Sequence, residues 1–114
     1  MNLSWLEISK KALLNNISQI KKTLAPKVKF MAVVKANAYG HGLFEVVNNI
    51  KKNVDYLAVY SFEDALLLRK KNISLPILVL GKTMLDQIVS AIKNNLEITV
   101  STFDILEAAK KNFR

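Results

Sequence analysis

Four short apolar segments rich in β-forming residues, Val28 to Val34, Tyr56 to Val59, Ile77 to Leu80 and Ile98 to Val100, recur every 20 to 26 residues along the chain. Each is followed by an amphipathic stretch long enough to be a helix. Few folds accept that alternation. A helical crossover returns the chain to the same edge, so consecutive strands run parallel and the helices lie on the sheet. The run ILVL, Ile77 to Leu80, is apolar at every position, as expected of a strand covered on both faces. A helix from about Lys10 to Leu24 precedes the first strand, its apolar residues Leu13, Leu14, Ile17 and Ile20 keeping a 3.6-residue period.

The ends of the units are marked as well. Ser61 with Asp64, Thr83 with Asp86 and Ser101 with Asp104 have the spacing of a capping box or its aspartate relative, and Gly42 with Glu45 is a weaker fourth case. The helix ends read Lys51-Lys52-Asn53, Lys70-Lys71-Asn72, Lys93-Asn94-Asn95 and Lys110-Lys111-Asn112. Cations there offset the negative end of the helix dipole, and Asn accepts the left-handed conformation just beyond it. The net charge of +8 is therefore assigned to solvated helix ends and not to a nucleic-acid surface, and no aromatic residues interleave with the basic runs. Pro76 fits the mouth of the third strand and Gly81 its exit.

A chain of 114 residues with 51% hydrophobic content has the size and core of one small domain. No apolar run approaches the roughly 20 residues of a membrane-spanning helix, and the opening MNLSWLEISK is not a signal sequence, so a cytoplasmic protein without membrane contact is expected. The absence of cysteine removes thiol nucleophiles and zinc-thiolate sites, and a lone histidine, His41, makes a metal centre or a serine–histidine couple implausible. Parallel βα repeats build either an open doubly wound sheet or an eight-unit barrel, which typically takes about 250 residues. Four units in 114 residues would be half of such a TIM-type (β/α)8 barrel. The chain stops at Arg114, in or at the end of the fourth helix, and reads as a fragment.

Chemistry concentrates in FMAVVKANAYGHG, residues Phe30 to Gly42. Strand alternation puts Met31, Val33 and Lys35 on one face, with Lys35 at the carboxyl end of the first strand, where parallel α/β proteins place ligands. Such a lysine either snorkels to water or, if desolvated, attacks a carbonyl to form a Schiff base. Tyr39 falls in the connecting loop, and Gly40 and Gly42 permit close backbone approach ahead of a helix amino terminus that can hold an anion. Turn-making alone also accounts for the two glycines. His41 is read as a loop or helix-start residue.

The run AVVKANAYGHG closely resembles the pyridoxal-phosphate attachment signature of alanine racemases. PILVLG, Pro76 to Gly81, resembles their third barrel strand, and LAVYSFEDALLLR, Leu57 to Arg69, their second βα unit. The likeness runs from about Trp5 to the carboxyl terminus. It implies that residues 1–114 are part of the N-terminal barrel domain, with the C-terminal β domain absent. It further implies a pyridoxal 5′-phosphate enzyme converting L-alanine to D-alanine for peptidoglycan. Lys35 would be the catalytic and cofactor-binding lysine, Tyr39 a cofactor-binding tyrosine and Leu80 a leucine packed near the cofactor ring. No metal is implied.

The same resemblance implies a homodimer, with the opposite-face proton donor, a tyrosine, coming from the partner's C-terminal domain. The arginine facing the pyridine nitrogen, the ring-stacking histidine and most phosphate ligands would lie beyond Arg114. The choice between alanine and serine is not decided by these residues. Trp5 to Ile8 would pair with the absent domain and stay an unpaired strand here, and the open sheet would favour association. Two other readings are a non-catalytic pyridoxal-phosphate-binding barrel protein, against which Tyr39 to Gly42 argue, and an inactive truncated gene product.

Overall fold

A computed structural model describes residues 3–113. Its elements follow the order α1 (Lys10–Thr23), β1 (Met31–Val33), the one-turn helix α2 (Lys35–Tyr39), α3 (Leu43–Ile50), β2 (Tyr56–Val59), α4 (Phe62–Lys70), β3 (Ile77–Lys82), a 3-10 turn (Leu85–Gln87), α5 (Ile88–Lys93), β4 (Glu97–Thr99) and α6 (Phe103–Asn112). The four strands form one parallel sheet in the order β1-β2-β3-β4, as the repeat of strand and crossover helix dictates.

Register decides what each residue faces. Ala32 pairs with Leu57 and Leu57 with Ile77, while Val59 pairs with Val79 and Val79 with Ile98. That layer carries the core: Leu57, Val59, Ile77 and Val79 are fully buried against Val47 and Ile50 of α3 and Ala65 and Leu68 of α4. The alternate layer, Val33 paired with Ala58 and Ala58 with Leu78, continues to Tyr60 and Leu80. It has no helices on it, and Met31, Val33, Tyr60 and Leu80 stand exposed. One sheet face is thus packed and the other is an open apolar concavity, as expected of a four-unit half barrel.

Several boundaries depart from expectation. The first strand is Met31–Val33 and not Val28 to Val34: the Val28 amide donates to the Ala25 carbonyl in a turn at 3.2 Å, the Phe30 amide donates to the Asp55 carboxylate at 2.7 Å, and Val34 leaves the strand conformation. The third strand extends through Gly81 to Lys82 by a bulge that shifts the register from Val79–Ile98 to Lys82–Thr99. The fourth begins one residue early, at Glu97. Trp5 to Ile8 form no strand, and Trp5 and Leu6 are exposed.

Caps show the same mixture. Ser61 accepts the Asp64 amide at 3.1 Å as expected, and Ser9 caps α1 through the Ala12 amide. Thr83 is not a cap: it is fully buried, its hydroxyl has no partner among the described residues, and the Gln87 side chain accepts the Met84 amide instead. At α6 the cap position is Thr102 and not Ser101, with the Thr102 hydroxyl donating to Asp104. Asn72 and Asn95 take the left-handed conformation foreseen beyond helix ends, whereas Asn53 and Asn112 do not.

The lysine-rich ends concealed a structural arginine. Arg69, in the last turn of α4, donates from Nε to the Asn94 carbonyl at 2.8 Å, from Nη1 to Ile73 and Leu75 at 2.6 and 2.8 Å, and from Nη2 to Asn95 at 2.9 Å. One guanidinium thereby ties the end of α4 to the end of α5 and to the entry of β3. Partial burial lowers its pKa from the ordinary arginine value, and the guanidinium stays charged near neutrality.

Candidate active site

The carboxyl end of β1 leads directly into the segment that carries the candidate residues. Val34 still donates its amide to Ala58 at 2.8 Å, but its φ of −118° and ψ of 23° leave the strand conformation, so the alternation on which Lys35 was placed ends there. Lys35 is half-buried and opens α2 instead of closing the strand. It remains at the carboxyl ends of the parallel strands.

Helix α2 has an unusual hand. Ala36, Asn37, Ala38 and Tyr39 all have φ between 51° and 54°, and ψ is 42° to 49° for the first three, which is the left-handed helical region. Four successive non-glycine residues in that region cost about 1–2 kcal/mol each. Three features hold them. The amide of Ala38 donates to Val34 at 3.0 Å and that of Gly40 to Ala36 at 3.3 Å, closing the turn. The Val34 and Ala38 side chains are buried in the core, fixing both ends of the segment. The Asn37 side-chain oxygen accepts the Leu43 amide at 2.8 Å, satisfying the first free N–H of α3. His41 adds a contact from Nδ1 to the Ala38 carbonyl at 3.0 Å, which requires the proton on Nδ1.

This turn sets the relation between the two candidate polar residues. Lys35 and Tyr39 are four residues apart, at the first and last positions of α2. Tyr39, expected in a loop, is the last residue of the turn and is 64% exposed. Leu80 lies on β3 in the open layer with Leu78 and Tyr60 and is 36% exposed. All three candidates thus belong to the carboxyl end or the open face of the sheet, with Lys35 and Tyr39 on one short element and Leu80 two strands away.

Two cavities flank this region without containing the candidates. One of about 520 Å³ lies between the amino-terminal segment, through Leu6 and Ile8, and the far side of the turn, through Asn37, His41 and Phe44. The other, about 380 Å³, sits at the ends of β3 and α6 between Lys82, Thr83, Asp86, Thr102 and Asp104. Neither is lined by Lys35, Tyr39 or Leu80. Lys35 is half-buried, and Tyr39 and Leu80 are exposed. Among the described residues no cluster of His, Cys, Asp or Glu is arranged to hold a metal ion, and no helix is long and apolar enough to cross a membrane.

Known proteins place this arrangement. The sequence profile of the family described as alanine racemase, N-terminal domain, matches residues 8–114. Alanine racemase 2 of Caldanaerobacter subterraneus subsp. tengcongensis is 42% identical over 101 residues, covering 88% of this chain and 26% of the relative. The crystal structure of alanine racemase from E. faecalis superposes with a TM-score of 0.85 at 33% identity, over 91% of this chain and 28% of that one. A histidine racemase from Leuconostoc mesenteroides superposes with a TM-score of 0.80 at 30% identity, over 90% and 28%. The chain spans about a quarter of the length of the curated relatives it matches. With a profile match over nearly all its residues and the parallel half barrel to go with it, the chain belongs to the alanine racemase N-terminal domain family.

Proposed function

We propose that this chain is the lysine-bearing, amino-terminal barrel part of a pyridoxal-phosphate-dependent racemase that interconverts L- and D-alanine. The observation that supports the reading is the strained left-handed turn that carries Lys35 and Tyr39 on one short element at the carboxyl ends of the strands. Backbone strain of this kind survives where the surroundings over-determine it, and it clusters at working sites.

The residues suit the cofactor. Pyridoxal phosphate needs a primary amine for its aldehyde, a polar neighbour for its anionic groups and an apolar surface for its ring. Lys35 would supply the amine, Tyr39 the hydroxyl and Leu80 the apolar contact. When bound, the cofactor's pyridine ring takes up the electron pair left as the substrate Cα–H bond breaks.

The remaining work falls to side chains. Lys35 would anchor the cofactor, then, freed by the incoming substrate amine, take or return the Cα proton at Nζ on its own face. Its half-burial limits competition from water, and Tyr39, one turn on, would restrict the cofactor's orientation relative to that amine. Inversion needs a second proton donor on the opposite face, and that role belongs to another part of the complete enzyme. The reading includes a C-terminal domain outside these 114 residues, a homodimer sharing the site, a cytoplasmic location and a role in supplying D-alanine to peptidoglycan. Alanine as substrate rests on the names of the relatives, and the likeness to a histidine racemase means that the barrel fold by itself does not name the amino acid.

The test uses the polypeptide as its source cell makes it. Incubation with pyridoxal phosphate followed by borohydride should fix the cofactor on the peptide containing Lys35, and Lys35→Ala should lose both that adduct and alanine racemisation. Racemisation surviving the substitution would end the assignment.

A further inference from the structure

We propose that Asn37 is a positioning residue for Lys35, clamping the left-handed turn to the amino terminus of α3 so that Lys35 and Tyr39 keep their relative placement. Its functional half rests on the reading of Lys35 given above. Its structural half stands on the turn alone.

Asn37 is the hub of the segment. Its main-chain carbonyl accepts the amides of Gly40 at 3.1 Å and Gly42 at 3.0 Å, and its side-chain oxygen accepts that of Leu43 at 2.8 Å. Asn is also the residue here that enters the left-handed region with least penalty, its φ being 54° and ψ 42°. Ala36, Ala38 and Tyr39 have no such tolerance and favour negative φ. Loss of the tie removes one of the three features that hold them there, and a change in the sign of φ between Lys35 and Tyr39 alters where the tyrosine is carried relative to the lysine. The His41 contact closes only on Ala38, within the same loop, and does not reach α3. Leu43 is buried, so a bond to its amide fixes the turn to a helix seated in the core.

Three substitutions separate the tie from the backbone preference. Asn37→Asp keeps the acceptor, Asn37→Gly keeps the conformation but loses the acceptor, and Asn37→Ala loses both. Ser61→Ala serves as a control, because it removes a comparable bond at the start of α4, to the Asp64 amide at 3.1 Å, away from the turn. In the source-length polypeptide, hydrogen exchange at the Leu43 amide and the equilibrium constant for borohydride-fixable pyridoxal phosphate at Lys35 are measured together. Asn37→Asp should match the wild type in both, while Asn37→Gly and Asn37→Ala should exchange the amide about fivefold faster and weaken the adduct by about the same factor. Ser61→Ala should leave the adduct unchanged.

An adduct in Asn37→Gly as strong as in Ser61→Ala, with Lys35→Ala losing it, overturns this proposal alone. An adduct undiminished in Lys35→Ala overturns the lysine reading, while exchange at Leu43 still decides the tie.

Discussion

The guanidinium of Arg69 reaches across 25 residues to the Asn94 carbonyl at 2.8 Å, joining the carboxyl ends of α4 and α5, which flank β3 in the chain. Its other donors satisfy Ile73, Leu75 and Asn95. Removing it leaves four carbonyls to find water at once. Arg69→Ala should therefore lower stability by about 2–4 kcal/mol, and Arg69→Lys should recover only part, since an ammonium cannot reproduce the planar fork. Urea unfolding measures both. A midpoint for Arg69→Ala equal to the wild type would mean that the four bonds merely replace equally good bonds to water.

Gly81 answers a different constraint. Its amide donates to the Tyr60 carbonyl at 3.0 Å within the β3 bulge, and a Cβ built on it would lie 2.5 Å from that same oxygen. The blocking atom is backbone and cannot swing aside. Gly81→Ala should cost about 1–3 kcal/mol by forcing β2 and β3 apart. A stability unchanged within error would show that the bulge yields freely.

How much of this was legible in the residues depends on how local the cause is. The strands and their parallel order were readable because a βα repeat with continuous apolar runs such as Ile77 to Leu80 admits little else. The Ser61 cap was readable because its partner, Asp64, lies three residues away. Thr83 had the same spacing to Asp86 and failed, since the extended β3 carried it into the core. The left-handed turn was invisible: Ala36, Ala38 and Tyr39 favour the right-handed region, and only packing and the bond from Asn37 to Leu43 reverse them. Arg69 was hidden among lysines, its partners depending on how α4 and α5 end. Lys35 and Tyr39 stood out as candidates by their motif, and no pattern announced the turn that carries them.

The two faces of β3 make opposite predictions. Ile77 is fully buried beneath the helices, and Ile77→Ala should cost about 2–5 kcal/mol. Leu80, on the open layer and 36% exposed, should cost less than about 1 kcal/mol when replaced by Ala. If Leu80 also contacts the cofactor ring, Leu80→Ala should weaken pyridoxal phosphate binding while the urea midpoint scarcely moves. Equal destabilisation at both positions would contradict the open face.

Acid stability offers a test at the far end of the sheet. Asp104 is held below its ordinary 3.8, first by the Thr102 hydroxyl, then by the Ile105 amide at 3.0 Å, with Lys82 adding a smaller attraction. A carboxylate whose folded pKa is depressed stabilises the fold fully above its unfolded pKa. That contribution falls away as pH drops from about 3.8 through the lower folded value, below which both states are protonated. Asp104→Asn removes it. The urea-midpoint difference between wild type and Asp104→Asn should be constant from neutrality down to about pH 4 and shrink below it. A difference that persists to about pH 2 would mean that the asparagine loses packing or hydrogen bonding, and that the ionised form of Asp104 contributes nothing to the start of α6.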